Sequence, residues 1–264
     1  MCYCLPSRSS PDDEDEALAL LKHSLRVCFI KMTSSGNLRW GKVFAAMQEP
    51  FPVLRHLEFL GTRYEALVFP SGFLGRSAPG LQDLFLEHIS FPELPNLLLS
   101  SRALVSLKLS HIPPTGYISP EAMVTGLAAL TMLETLHIAF FSRDSRPEER
   151  RRPDFPMRVF LLPALTDFTF GGCSEYLEDL VAQIDAPRLF GFRSNLTRLD
   201  SLRLPQLFLL VDRSQNLRFR RVEAVFYSDR GMGKLNIELR VDHPLDLALV
   251  FSLHSNGQVP ILRT

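Results

Sequence analysis

A short apolar pattern, Leu-x-x-Leu-x-Leu, recurs along the chain and sets the order of its hydrophobic and polar positions. Its five clear copies begin at Leu54, Leu81, Leu104, Leu133 and Leu165. A weaker copy, Leu25-x-x-Cys28-x-Ile30, precedes them. Because apolar residues alternate with polar ones inside each copy, we expect one short β-strand per copy with one buried and one exposed side. The pattern therefore predicts a series of parallel strands.

The spacing of the copies, 23 to 32 residues, is close to the length of a leucine-rich repeat. Units of this kind stack so that each buries its apolar side against its neighbours. The expected fold class is α/β, a leucine-rich-repeat solenoid. A curved parallel β-sheet forms its concave side, and irregular helices and loops form its convex side.

Helices are predicted between several of these strands. Residues 38–47 place apolar side chains on one helical face and end before a proline. Ser119 is followed by Pro120 and an acid, which is typical of a helix start with a capping hydroxyl. Ser174 is predicted to cap a further helix in the same way. Each of these helices would lie on the convex side.

The pattern weakens after Leu165, where copies beginning at Leu189 and Leu199 lie too close together for both to be repeats. We favour a strand over residues 189–194. The remaining predicted elements are a helix opened by Pro205, strands over residues 222–227 and 235–239, a hairpin turn at residues 231–234 and a closing helix over residues 244–253.

Three segments follow from composition along the chain. Residues 1–15, with serine, proline and acidic side chains, predict a disordered acidic leader. Residues 16–264 predict a single irregular leucine-rich-repeat domain with terminal caps. A polar insertion is expected at about residues 142–157, and the mixed-charge run at 148–152 within it has two interpretations. We favour a solvated loop over a docking patch, because the acids weaken the field of the arginines.

Charge and hydropathy limit the classes of partner. The 264 residues carry 29 Lys and Arg against 29 Asp and Glu, so the chain lacks the excess of positive charge that is typical of nucleic-acid-binding proteins. Residues 126–141, the longest apolar region, are interrupted by Glu134 and His137, and a membrane span is not predicted. The amino terminus lacks the apolar core of a signal peptide. We expect an intracellular protein, cytoplasmic or nuclear, and not a secreted one.

Candidate chemistry is sparse. Cys28 and Cys173 fall at apolar positions and are expected to be buried thiols, and the pair Cys2 and Cys4 has no second ligand pair at a zinc-like spacing. The glycines near residue 231 lack the spacing of a phosphate loop. His88 and His111 recur at one position of the repeat, which indicates turn geometry rather than metal binding. We expect no catalytic residue, cofactor or metal, and hence no enzyme.

The candidate site is the concave face, because solenoid strands point the residues between their leucines outward. The expected binding residues are His56, Glu58, Asp83, Phe85, Glu87, Ser106, Lys108, Thr135, His137, Asp167, Thr169 and Arg193. An aromatic side chain among mixed charges is typical of a protein-binding surface. The other interpretation is an ordinary solvated sheet face, and we favour protein binding.

Several longer segments resemble one family. They are QEPFPVL at 48–54, FLGRSAP at 73–79, FPELPNLLLS at 91–100, GYISPEAMVT at 116–125 and SEYLEDLVA at 174–182, which is followed by Asp185-Ala186-Pro187. Over roughly residues 25–227 the chain is similar to F-box and F-box-like leucine-rich-repeat proteins of mushroom-forming basidiomycete fungi. The resemblance implies the same repeat fold.

The resemblance also implies a role. Members of the broader class hold a substrate on the repeats and recruit a Skp1/cullin ubiquitin ligase through an amino-terminal F-box. A helical run like L-P-x-E-I-L is not found before Leu25. We therefore expect the substrate-recognition part of such an adaptor, linked to Skp1 and cullin only if an F-box is supplied elsewhere. The alternative is a standalone repeat scaffold, a decoy or a decaying paralogue with no ligase link.

Overall fold

The structure, a computed structural model, describes residues 3–5, 18–33, 40–64, 67–141, 158–197, 204–214, 216–217, 221–229, 232–240 and 250–253. Its strands are β1 Tyr3–Leu5, β2 Val27–Thr33, β3 His56–Leu60, β4 Leu67–Val68, β5 Asp83–Glu87, β6 Ile89–Ser90, β7 Ser106–Ile112, β8 Thr135–Phe140, β9 Phe160–Leu161, β10 Asp167–Cys173, β11 Ile184–Asp185, β12 Gly191–Thr197, β13 Arg221–Asp229, β14 Met232–Arg240 and β15 Val250–Leu253. Its helices are α1 Trp40–Ala46, α2 Leu94–Ser100, α3 Pro120–Leu127, α4 Ser174–Val181 and α5 Pro205–Arg213, and residues 18–21 are also helical.

One large sheet contains eleven strands in the order β1-β2-β3-β5-β7-β8-β10-β12-β14-β13-β15. The run from β2 to β12 is seven parallel strands, joined by connections that contain the helices and turns. The short pairs β4–β6 and β9–β11 form two small parallel sheets. The predicted α/β class is confirmed by this arrangement.

The seven parallel strands are aligned by the residues of the apolar pattern. One buried row across the sheet is Ile30, Leu57, Leu84, Leu107, Leu136, Phe168 and Phe192. Each lies between outward neighbours that are more exposed, so the strands alternate as the sequence predicts. Full burial of such a side chain contributes about 1.5–3 kcal/mol, which makes this row a main stabilising element.

Main-chain hydrogen bonds also repeat from unit to unit. Immediately before five of the parallel strands lies a residue whose carbonyl oxygen accepts two N–H groups of the next unit, at 2.8–3.1 Å. The acceptors, which we call the linking carbonyls, belong to Arg55, Gln82, Val105, Glu134 and Thr166. These main-chain bonds fix the register of neighbouring units, and at Glu134 the Thr166 hydroxyl adds a side-chain bond to the same oxygen at 3.1 Å.

The buried side of the sheet packs against the helices. Trp40 and Phe44 of α1 meet Phe59 of β3 within one aromatic group, and Phe69 stacks on Phe73 with ring centroids 3.9 Å apart. Met123 and Leu177, from α3 and α4, belong to the same continuous apolar core. The predicted helix over residues 38–47 is confirmed as α1.

Two helix starts with a serine cap were predicted, and one of the two caps is wrong. The Ser119 hydroxyl accepts the N–H of Ala122 at 3.3 Å, so the predicted cap of α3 is confirmed. Ser174, in contrast, is the first helical residue of α4, and the extended Cys173 is the residue before the helix, with no side-chain cap bond. Strand β10 runs directly into α4, which leaves no loop residue for the cap.

The first unit is offset from the prediction. Leu25 lies in the turn before β2 and is 71% exposed, whereas Val27, Ile30 and Met32 are buried. The repeat positions of this unit therefore begin at Val27. Cys28 and Cys173 are only partly buried, so the expectation of two fully buried thiols is wrong.

The carboxyl-terminal region continues the sheet. The strand preferred near Leu189 is confirmed as β12, which pairs with β10, and the helix opened by Pro205 is confirmed as α5. The strands predicted near residues 222–227 and 235–239 are the antiparallel pair β13 and β14. The closing helix is wrong where it is described, because Val250–Leu253 is a strand parallel to β13.

Parts of the predicted organisation lie outside the described residues. They include the insertion at 142–157, most of the copy beginning at Leu199 and the larger part of the leader. The hairpin turn predicted at 231–234 is wrong for residues 232–234, which already belong to β14, and residue 231 lies outside the described residues. Within the leader, Tyr3–Leu5 forms a strand that pairs with β2.

Left-handed backbone with φ of about 50–60° occurs in one three-residue segment and at two single histidines of the described residues. Leu74, Gly75 and Arg76, with φ of 53°, 60° and 61°, form one consecutive left-handed segment. His88 and His111 have φ of 56° and 52°. They occupy corresponding places in neighbouring units, and histidine is among the residues enriched in this conformation. His88, between β5 and β6, agrees with the turn geometry that the sequence indicated, whereas His111 lies within β7, where the register to β8 shifts.

Candidate functional site

The exposed side of the parallel strands is the candidate site, and we call it the open face. It is formed by the outward side chains of β2, β3, β5, β7, β8, β10 and β12. Its first row is Phe29, His56, Asp83, Ser106, Thr135, Asp167 and Gly191, and its second row is Lys31, Glu58, Phe85, Lys108, His137, Thr169 and Arg193. All twelve residues expected from the sequence lie on it, eleven in these rows and Glu87 beyond them, and each is partly or fully exposed.

The β2–β5 part of the face is rich in carboxylates. His56 stacks on Phe29 with ring centroids 4.4 Å apart and nearly parallel planes. Its Nδ1 lies 3.7 Å from an oxygen of Asp83, and its Nε2 lies 3.5 Å from an oxygen of Glu58. Lys31 Nζ contacts the other oxygen of Glu58 at 2.9 Å. The imidazole thereby lies between two acids without a hydrogen bond at its buried Nε2, and it stacks on Phe29.

The β7–β12 part of the face is more basic. Lys108 and Arg193 are exposed there, with His137 between them in the second row. Burial lowers the pKa of His137, and the charges of Lys108 and His111 lower it further. The ring therefore favours its neutral form and accepts or donates a hydrogen bond as a polar group. Asp167 is the acid of this part.

Phe85 lies at the boundary between the two parts. Its register neighbours are Glu58 on β3 and Lys108 on β7. Because adjacent strands are about 4.8 Å apart, a negative and a positive side chain flank the ring on opposite sides. The second row therefore places an apolar ring between a negative and a positive side chain on three neighbouring strands.

One edge of the face, at the carboxyl ends of β5 and β7, brings together Glu87, His88 and His111. The imidazole rings of His88 and His111 stack with centroids 4.6 Å apart, and Phe141 packs edge-on against His88 at 5.3 Å. His111 Nδ1 lies 3.3 Å from Oε1 of Glu87. Of these residues, the sequence placed only Glu87 in the candidate site.

Sequence reasoning also missed Phe29 and Lys31 as members of the open face. The misplaced first copy at Leu25 shifted the expected outward positions of β2. The pattern Val27-x-x-Ile30-x-Met32 would have predicted both residues as outward-facing. It has the spacing of the other copies, with Val, Ile and Met at the leucine positions.

Comparisons with protein-family models, with curated proteins and with solved structures give no significant match for this chain. The similarity to F-box leucine-rich-repeat proteins therefore stays a prediction from the sequence. In the described part of the chain, no helix has the length and apolar character needed to cross a membrane.

Proposed function

We propose that this chain is a protein-binding module whose open face holds a protein ligand. The observation that carries the proposal is the position of Phe85 between Glu58 and Lys108 in one row of the sheet. Aromatic side chains at the centre of a surface, with polar groups around them, supply most of the binding energy in many protein interfaces. Opposite charges on the two sides set the orientation of the ligand.

The expected ligand follows from this row. It presents an apolar side chain to Phe85, an acidic group toward Lys108 and a basic group toward the Glu58 side of the row. Asp83 is the more exposed carboxylate there, because Glu58 is already paired with Lys31. A ligand turned end for end would place like charges together, which is unfavourable, so one orientation is preferred.

We further propose that the units form a leucine-rich-repeat solenoid. The shared buried row, the intervals between units and the linking carbonyls support this assignment. In such architectures the exposed face of the strands is the usual surface for binding. The same surface would suit the substrate-recognition part of an F-box-type adaptor. A standalone scaffold or decoy would use the face without the ligase.

Affinity capture from a basidiomycete extract, followed by quantitative mass spectrometry, tests both protein binding on the open face and the adaptor role. The bait is the full chain, and the open-face variant is Phe85→Ala with Lys108→Glu. The matched control is Phe208→Ala with Arg213→Glu, which makes the same kinds of change at exposed positions of α5. Circular dichroism confirms that both variants are folded.

Protein binding on the open face predicts partners that the full chain and the control retain and the open-face variant loses by at least about 10-fold. Recovery of Skp1 with the full chain supports the adaptor role. Partners without Skp1 support the scaffold role. Equal recovery by all three baits contradicts binding on the open face.

A further inference from the structure

The cluster of Glu87, His88 and His111 is a second candidate site, distinct from the rows around Phe85. Within the described residues it is the only group of three His, Cys, Asp or Glu side chains whose ligand atoms lie close together, all within 4.8 Å of one another. Glu87 Oε1 lies 3.3 Å from His111 Nδ1 and 4.0 Å from His88 Nε2. One carboxylate oxygen therefore faces both imidazoles.

The backbone explains why the two histidines meet. Each adopts a left-handed conformation at the same place in neighbouring units, and the N–H of His88 donates to the carbonyl of Ser110 at 3.1 Å. Their side chains leave adjacent strands in the same direction and stack. The His88 side chain is mostly buried, with Phe141 packed edge-on against it, whereas the side chain of His111 is 52% exposed. The cluster is therefore open to solvent on the His111 side.

We propose that Glu87, His88 and His111 form a binding site for a divalent transition metal, with Zn²⁺ as the best fit. Imidazole nitrogen and carboxylate oxygen are ordinary zinc ligands, and three protein ligands leave a fourth position for water. The carboxylate offsets one of the two charges of the ion. This site does not depend on the proposed protein-binding function.

Small side-chain movements complete the coordination. Ligand atoms about 2.0–2.1 Å from a tetrahedral ion are about 3.3–3.4 Å apart, which the Glu87–His111 pair already satisfies. The rings of His88 and His111 are nearly parallel, at 12°, so one ion does not lie in both ring planes at once. Since His111 is the exposed member, it turns out of the stack toward the ion, and the Glu87 carboxylate turns with it so that their 3.3 Å separation is kept. Metal binding and ring stacking are therefore alternatives.

Zn²⁺ titration of the full chain, prepared without a polyhistidine tag, tests the site by calorimetry. The variants are His88→Asn and His111→Asn, because asparagine also tolerates the left-handed backbone. The control is His23→Asn, which removes an exposed histidine outside the cluster. We expect one Zn²⁺ per chain and a Kd at least about 10-fold weaker in each cluster variant, with no change in the control.

A second measurement uses the unaltered chain and does not depend on variant folding. Zn²⁺ should slow the modification of His111 by diethyl pyrocarbonate at least about 10-fold, while His23 stays reactive; peptide mass spectrometry measures both. The proposal is overturned if Zn²⁺ binding is not saturable, if the cluster variants bind as tightly as the full chain, or if Zn²⁺ protects both histidines equally.

Discussion

The carboxylate of Glu178 is buried in α4, and we predict that it holds the start of α5. Glu178 is 4% exposed. Its Oε2 accepts the N–H of Gln206 and its Oε1 accepts the N–H of Leu207, both at 2.9 Å. These N–H groups belong to the first turn of α5, where no helical partner is available to them. A single side chain thus satisfies two donors of another helix.

Glu178→Gln keeps one acceptor oxygen and turns an NH₂ group toward a backbone donor. A hydrogen bond to a charged group contributes about 1.5–3 kcal/mol, and a negative charge at a helix start contributes up to about 2 kcal/mol. The relief of a buried charge offsets part of this loss. We expect the free energy of unfolding to fall by about 1.5–3 kcal/mol, and by about 3–5 kcal/mol in Glu178→Ala, where both donors lose their acceptor.

Urea unfolding followed by circular dichroism measures the global effect. Hydrogen exchange at the amides of Gln206 and Leu207 measures the local one, and both should exchange faster in the Gln variant. Glu121→Gln is the matched control, because it removes an exposed carboxylate from the first turn of α3. If Glu178→Gln changes the unfolding free energy by less than about 0.5 kcal/mol, within the range of ordinary surface substitutions, and leaves the two amides protected, the capping role is refuted.

Three further predictions concern the core, the open face and the left-handed segment. Tyr176→Phe removes a buried hydroxyl that donates to a main-chain carbonyl at 3.0 Å, so urea unfolding should show a loss of about 1–2 kcal/mol; an unchanged midpoint would contradict it. The lowered pKa of His137 means that the unfolded chain binds a proton first as the pH falls below about 6.5. The free energy of unfolding should therefore decrease as the pH falls below about 6.5 and level off below the folded-state pKa, and the decrease should be smaller in His137→Gln. Urea unfolding between pH 5 and pH 8 measures it, and an equal dependence of the unfolding free energy on pH in both chains would exclude this. Gly75→Ala adds a Cβ at φ 60° and 2.7 Å from the Pro50 ring, and should cost at least about 1–2 kcal/mol in thermal or urea unfolding. Gly41→Ala in α1 meets no atom within 4 Å and should be neutral or stabilising by up to about 1 kcal/mol; equal losses in the two variants would contradict the backbone argument.

The regular part of the fold is predictable because each strand depends on local alternation. Leu84 and Leu107, for example, are buried as the pattern requires, and their outward neighbours form the rows of the open face. Leu25 shows the limit of this reasoning. In the first unit, Val, Ile and Met occupy the buried positions that leucine holds in the other units. Leu25 resembles the start of a copy but lies in the turn before the strand.

The features that the sequence did not predict depend on residues distant along the chain. Glu178 acts on amides 28 and 29 residues away, and a single acid in a helix gives no sign of them. His88 and His111 become one cluster only when two strands are aligned and both backbones are left-handed. Their recurrence was visible, but the approach of Glu87 was not.

The linking carbonyls have a consequence for the variation of this molecule over evolutionary time. Their N–H···O bonds join neighbouring units through main-chain atoms, and the Thr166 hydroxyl adds a side-chain bond to one of them, so exchanges among outward side chains leave the main-chain bonds in place. Phe85 or Lys108 can be replaced by other residues while the register of the strands is retained. A duplicated copy of the gene would therefore be free to acquire a new ligand preference without first having to find a new fold.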